Sequence, residues 1–260
     1  MKVVPLAGSS KGNAYVVVFD GTVLLIDCGI SLKRLRARCA DCGVDLDSVA
    51  AVLITHDHSD HVSGLKVFLN RYDVPVYANL TTAEKLIRDQ EVSEDRFVCF
   101  ENGQSFPVGE MTVTSFPVPH DAVDPVGYLV ETPRGVYFHG TDIGTPLDSI
   151  GRHLAMADVV TIESNHDPVM LHGSDRAESL KRRIAGPRGH LANDDAAGLV
   201  RKFASERLKR VFLTHLSGEC NASHLAEAAM RRALTEIGRD DIELVVVEAF
   251  FPPFYPLKMV

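Results

Sequence analysis

A chain of 260 residues, 45% hydrophobic and 24% charged, has enough apolar material to bury a sizeable core, which excludes a disordered polymer and leaves one large domain or two small ones. The formal net charge of -8 excludes generalised adhesion to nucleic acid or anionic membrane, so any polyanion contact has to be local. The first apolar runs are short and broken by Gly, Ser, Asn and Asp, unlike a signal peptide or membrane span, and five scattered cysteines fit a reducing compartment; the expectation is a cytoplasmic protein.

In chain order, AYVVVF (14–19) and VLLIDC (23–28) predict two strands joined at Asp20-Gly21 as a hairpin, preceded by the polar turn GSSKGN at Gly8–Asn13. Ser31 caps a helix carrying Leu32, Leu35 and Cys39 on one face and ending near Gly43, so the pair Cys39 and Cys42 reads as helix cysteines. VAAVLI (49–54) is a fully apolar strand. Val62, Leu65, Phe68, Leu69 and Tyr72 predict a helix, followed by a strand at 74–78 and a helix over 81–89. Strand-like segments resume over 96–138, among them 111–118, 126–132 and 135–140. Buried-type strands at 158–164, 209–215 and 242–248 then alternate with helices near 192–207 and 222–238. No linker, charge block or repeat marks a boundary, so residues 1–260 read as a single domain, with a Pro-broken aromatic tail, FFPPFYP, from about 249.

Directly behind the strand at 49–54 stands THDHSDH, residues 55–61. Nothing structural requires so many imidazoles and carboxylates at a strand end, but a metal does. His56, His58, Asp60 and His61 follow one strand, His120 follows SFPVP, Asp142 follows VYFHGT and His215 follows VFLT; loops after strands are where a rigid scaffold presents functional groups. Taken singly, His120 or His215 reads as an ordinary hydrogen-bonded histidine. Together the seven exceed what one open site uses, and divided between two divalent ions (zinc, manganese or iron) they leave positions for water and substrate.

THDHSDH with His120, Thr141-Asp142 and His215 resembles the metallo-β-lactamase-fold hydrolases. That resemblance implies an α/β, four-layer αβ/βα sandwich, with His56, His58 and His120 on one ion, Asp60, His61 and His215 on the other, and Asp142 as the bridge. GSSKGNAYVV near the start, ESNHD (163–167), SLKRRIAGPRGHLANDDA (179–196) and THLSGECN (214–221) are similar to the YycJ/WalJ branch of that family, over about Gly8 to Leu234. The branch implies exonuclease action on DNA from the 5′ end. Ala192 and Ile143 depart from its commoner serine and threonine. About seventy residues between Asp142 and His215 leave no room for the large inserted domain of the superfamily's RNA-cleaving and DNA-repair nucleases.

Between Arg176 and His190 five cations, Arg176, Lys181, Arg182, Arg183 and Arg188, stand against one acid, Glu178. A basic segment on an acidic body is a candidate strand contact, and Lys181, Arg182, Arg183, His190 and Asn193 are its expected substrate-binding residues. In the expected reaction Asp60 orients a hydroxide and His190 protonates the leaving oxygen. Glu163, His166 and Asp167 are candidates to orient ligands from behind. The alternative is a small-molecule hydrolase of the same fold, cutting a cyclic phosphodiester, lactone or thioester. The sequence leaves the oligomeric state open.

Overall fold

The computed structural model describes residues 1–247; the tail expected from about 249 lies outside them. Two sheets face each other. The first runs in the order β1 (Lys2–Ser9), β2 (Gly12–Phe19), β3 (Thr22–Ile26), β4 (Val49–Leu53), β5 (Val76–Asn79) and β6 (Phe97–Phe100). The second holds β7 (Ser105–Val108), β8 (Met111–Pro117), β9 (Val126–Thr132), β10 (Gly135–Gly140), β11 (Val159–Glu163), β12 (Arg210–Thr214) and β13 (Glu243–Val246), also in sequence order. Each sheet opens antiparallel and becomes parallel, from β3 through β6 and from β10 through β13.

Helices cover both outer faces. On the first sheet lie α1 (Leu32–Asp41), α2 (Ser59–Val62), α3 (Leu65–Leu69) and α4 (Leu80–Gln90); after β10 come α5 (Asp148–Leu154), α6 (Pro168–Gly173), α7 (Glu178–Ile184), α8 (Asn193–Phe203) and α9 (Ser223–Glu236). The strand period of two sorts the core. Val17, Leu24, Ile26 and Leu53 point between the sheets at Val113, Tyr128, Val130 and Tyr137. Their neighbours Val16, Leu25 and Val52 point outward at Leu35, Leu65, Phe68 and Leu86. The second sheet packs its other face on α5, α8 and α9 through Ile150, Leu199 and Met230. This is the four-layer α/β sandwich expected. Strands buried on both faces read as unbroken apolar runs, which is why VLLI and VAAVL carry no alternation.

The segment expected as one helix over Val62–Tyr72 is two, broken at Ser63-Gly64. Gly64 N–H donates to Cys28 O at 2.8 Å, and a Cβ there would run into the Ile30 carbonyl. A close backbone approach overrides the helical period. Cys39 is buried on α1 as expected, its thiol pushed up to about 12 by burial, with Cys42 beside it, which makes it inert. Among the described residues no helix is long and apolar enough to cross a membrane.

Candidate metal centre

The parallel strands end at one edge of the sandwich, and the polar residues that follow them meet there. Thr55 is held by Asp27, which ends β3's run: its Oδ1 accepts from Thr55 N at 2.9 Å, and its Oδ2 accepts from Thr55 Oγ1 at 2.9 Å and from His61 Nδ1 at 2.7 Å. His58 precedes the first turn of α2, so Asp60 and His61 sit inside it. Asp27, Asp142 and His215 all have left-handed backbone, with φ of 58°, 56° and 56°. Such strain, of order 1–3 kcal/mol per residue, persists where the surroundings demand a particular side-chain aim.

All seven expected ligands converge. His56, His58 and His120 bring one donor atom each within 4.8 Å of one another, as do Asp60, His61 and His215. Asp142 lies between the groups: one oxygen is 3.1 Å from His61 Nε2 and the other 3.6 Å from His120 Nε2. A further group joins Asp142 and His215 to Glu163 and His190.

The donor set fits divalent ions. His56 Nε2 is buried without any hydrogen-bond partner, an expense a protein rarely bears without a ligand to meet it. The opposite nitrogens are tied down: His56 Nδ1 to Thr55 Oγ1 at 3.0 Å, His61 Nδ1 to Asp27, and His120 Nδ1 to Gly189 O at 2.9 Å. Imidazoles held by one nitrogen present the other, which is how metal-binding histidines are oriented.

Electrostatics divides the cluster. Burial, reinforced by neighbouring imidazoles, holds His56 far below the ordinary histidine range, and burial lowers His120 too. For His215 burial opposes charge, but Asp142, Asp60 and Glu163 outweigh it and push it up to about 10. His61 is raised in the same way by Asp27 and Asp142. Asp142, though buried, is held well below the carboxylate range by His215 and His61. Burial likewise raises Glu163, yet His190 and His215 draw it down to about 2.

Glu163 does more than orient one ligand. Its Oε1 accepts from Ile143 N at 2.5 Å and Leu191 N at 3.0 Å, while Oε2 faces His190 Nδ1 at 3.1 Å and His215 Nδ1 at 3.4 Å. Asp167 caps α6 instead, accepting from Met170 N, and His166 is buried with Nδ1 unpartnered.

The basic segment wraps His120 rather than forming an independent face. Arg188 Nε donates to His120 O at 3.0 Å and Arg183 pairs with Asp121. Of the expected substrate contacts, His190 stands at the centre and Arg182 is exposed. Lys181 is turned inward, donating to His172 O at 2.8 Å and paired with Glu178 at 3.0 Å. Asn193 is buried, accepting from Ser164 Oγ at 2.6 Å and donating to Asn221 Oδ1 at 2.9 Å. Its amide is spent on holding the start of α8 to β11.

Two contributors escape the sequence reading. Asp27 follows a strand just as the ligands do, a signal that could have found it. Asn13 sits in the segment read as a plain turn; only Ser10-Lys11 is that turn. Asn13 Nδ2 reaches Asp60 Oδ2 at 3.1 Å and His61 Nε2 at 3.0 Å.

Comparison with known proteins gives a consistent picture. The family model described as Beta-lactamase superfamily domain matches residues 22–216. The chain is 35% identical over 236 residues to exodeoxyribonuclease YycJ of Bacillus anthracis, covering 90% of this chain and 89% of that one. It is 33% identical over 234 residues to exodeoxyribonuclease WalJ of Streptococcus pneumoniae, covering 89% and 87%. Among solved structures, the metallo-β-lactamase fold protein YhfI from Bacillus subtilis superposes with a TM-score of 0.71 at 15% identity, over 96% of this chain and 97% of that one, a likeness of fold.

Proposed function

The chain belongs to the β-lactamase superfamily, in the branch of the YycJ and WalJ exodeoxyribonucleases, and from that premise we propose that it is a metal-dependent phosphodiester hydrolase acting on DNA as an exonuclease. The observation that carries the reading is the two three-residue ligand groups with Asp142 between them, and His190 beside Asp142 on Glu163. In this reading His56, His58 and His120 would hold one divalent ion and Asp60, His61 and His215 the other, with Asp142 placed between the two groups. Zinc, manganese and iron suit such imidazole and carboxylate donors. When bound, such ions would supply Lewis acidity and lower the pKa of water from about 15.7 to about 7.

The chain's own residues supply the rest. Asp60 is steered by Asn13 at 3.1 Å and by His215 Nε2 at 3.4 Å, so one oxygen is directed at the centre and can orient the attacking water. His190 directs its Nδ1–H at Glu163, whose Oε2 accepts the hydrogen bond at 3.1 Å. That leaves Nε2 to donate a proton to the leaving oxygen, the division of labour of a carboxylate-backed general acid. Strand contacts are assigned to Arg182 and Arg183, with Lys181 and Asn193 acting as supports from inside. The small-molecule alternative is not favoured, since relatives matched along nine-tenths of the chain are named for DNA. Five thiols without a disulfide support action in the cytoplasm.

The test offers end-labelled DNA, RNA and a chromogenic phosphodiester in parallel to protein loaded with manganese or zinc. DNA shortened from one end, with two ions per chain by metal analysis, is the expected result. Activity undiminished with one ion or none removes the two-ion reading, and preference for the chromogenic diester over DNA removes the nuclease reading.

A further inference from the structure

Asp121 follows His120 and belongs to none of the ligand groups described above, yet its carboxylate is divided. Oδ1 points inward, 3.4 Å from His120 Nε2 and 4.0 Å from His58 Nε2. Oδ2 points outward to the guanidinium of Arg183 on α7. Ligand atoms of one ion, each about 2.1 Å from it, stand about 3.0–3.4 Å apart. The spacing from His120 Nε2 to Asp121 Oδ1 has that value, and it nearly equals the 3.3 Å from His120 Nε2 to His58 Nδ1.

A plain surface ion pair would not need this arrangement. With side-chain exposures of 30% for Asp121 and 54% for Arg183, such a pair is worth little by itself. It gains nothing from aiming its second oxygen at two imidazoles. Arg183 fixes the carboxylate from outside while Arg188 and Gly189 fix His120 from behind, so one segment sets the geometry of two neighbouring residues.

Resting on the two-ion reading, we propose that Asp121 is a further carboxylate of the His56, His58 and His120 site, reaching its ion directly or through a water, and that Arg183 is the residue that positions it. The added oxygen gives that site a harder donor set than three imidazoles, so it favours manganese relative to zinc. Arg183 then links the basic segment to the ion it borders.

The experiment measures ion binding without any cleavage: free manganese is followed by electron paramagnetic resonance during titration, with zinc competition, on the parent chain, Asp121→Asn, Arg183→Gln and Arg183→Lys. Asp121→Asn keeps the shape and removes the charge, and equal melting temperatures of the metal-free proteins confirm folding. We expect one of two manganese ions to bind about 10–100-fold more weakly in Asp121→Asn, the other to be unchanged, and zinc to lose less than manganese. Arg183→Gln weakens the same ion by a smaller factor, and Arg183→Lys restores it. Two ions bound by the parent and bound equally by Asp121→Asn overturn the proposal while leaving the two-ion reading intact. A parent that binds fewer than two ions overturns both. An Arg183→Gln variant that binds both ions as the parent does and alters only the salt dependence of DNA binding leaves Arg183 the strand contact assigned above and removes its positioning role.

Discussion

Replacing Asp27 with Asn tests whether the centre depends on a buried tautomer. Asp27 Oδ1 must remain an acceptor, because Thr55 N–H points at it from 2.9 Å. The amide oxygen of the variant takes that place, and its NH2 group faces His61 Nδ1, formerly 2.7 Å from a carboxylate oxygen. Two donors then oppose each other. His61 relieves the conflict by moving its proton to Nε2, the nitrogen 3.1 Å from Asp142, where an ion would bind. Restoring the lone pair at Nε2 forfeits a charge-assisted hydrogen bond and leaves a donor unpaired, about 1.5–3 kcal/mol. By 1.4 kcal/mol per decade, that is roughly 10–100-fold in affinity, the usual effect of losing such a partner. Chelator competition should show the ion of Asp60, His61 and His215 weakened by that factor and the ion of His56, His58 and His120 changed much less. Affinities for both ions within twofold of the parent would refute the reasoning.

Other consequences are open to direct measurement. Glu163→Gln and His190→Ala should each lower kcat by about 10²-fold or more, as expected for a lost general acid, and the double variant should be little worse than either single one; additive losses would separate the two residues. Because His215 is pushed up to about 10 and His61 is raised with it, an ion binding at pH 7 must displace protons, so affinity rises as pH climbs toward 10; calorimetry in two buffers of different ionisation enthalpy should register proton release, and none would contradict the assignment. Neutralising Arg182 should flatten the double-logarithmic salt dependence of DNA affinity by about one unit and reduce polynucleotide cleavage more than cleavage of a chromogenic diester; equal losses on both substrates would make it a structural residue. Cys39→Ala should leave hydrolysis intact, while Leu25→Ala should cost about 2–5 kcal/mol of stability in a urea melt.

Much of the fold is written in the local sequence. Apolar runs such as VLLI and VAAVL announce doubly buried strands because the hydrophobic effect acts on local pattern, and THDHSDH announces metal because no other use repays so many imidazoles in seven residues. Each expected ligand comes after a strand, and only beside THDHSDH and the family pattern do the scattered ones, His120, Asp142 and His215, stand out from ordinary histidines and aspartates. What the sequence could not contain is aim. Asn13 looked like a turn residue and reaches Asp60, whereas Asn193 and Lys181 looked like substrate contacts and face inward. Position along a chain says nothing of side-chain direction once sheets stack. The partners that decide it come from distant segments: Asp27 for His61, Gly189 for His120, and Glu163 for both His190 and His215. A burial pattern is a property of neighbours in sequence; a coordination shell with its hydrogen-bonded backing is a property of neighbours in space, and only the folded sandwich brings those together.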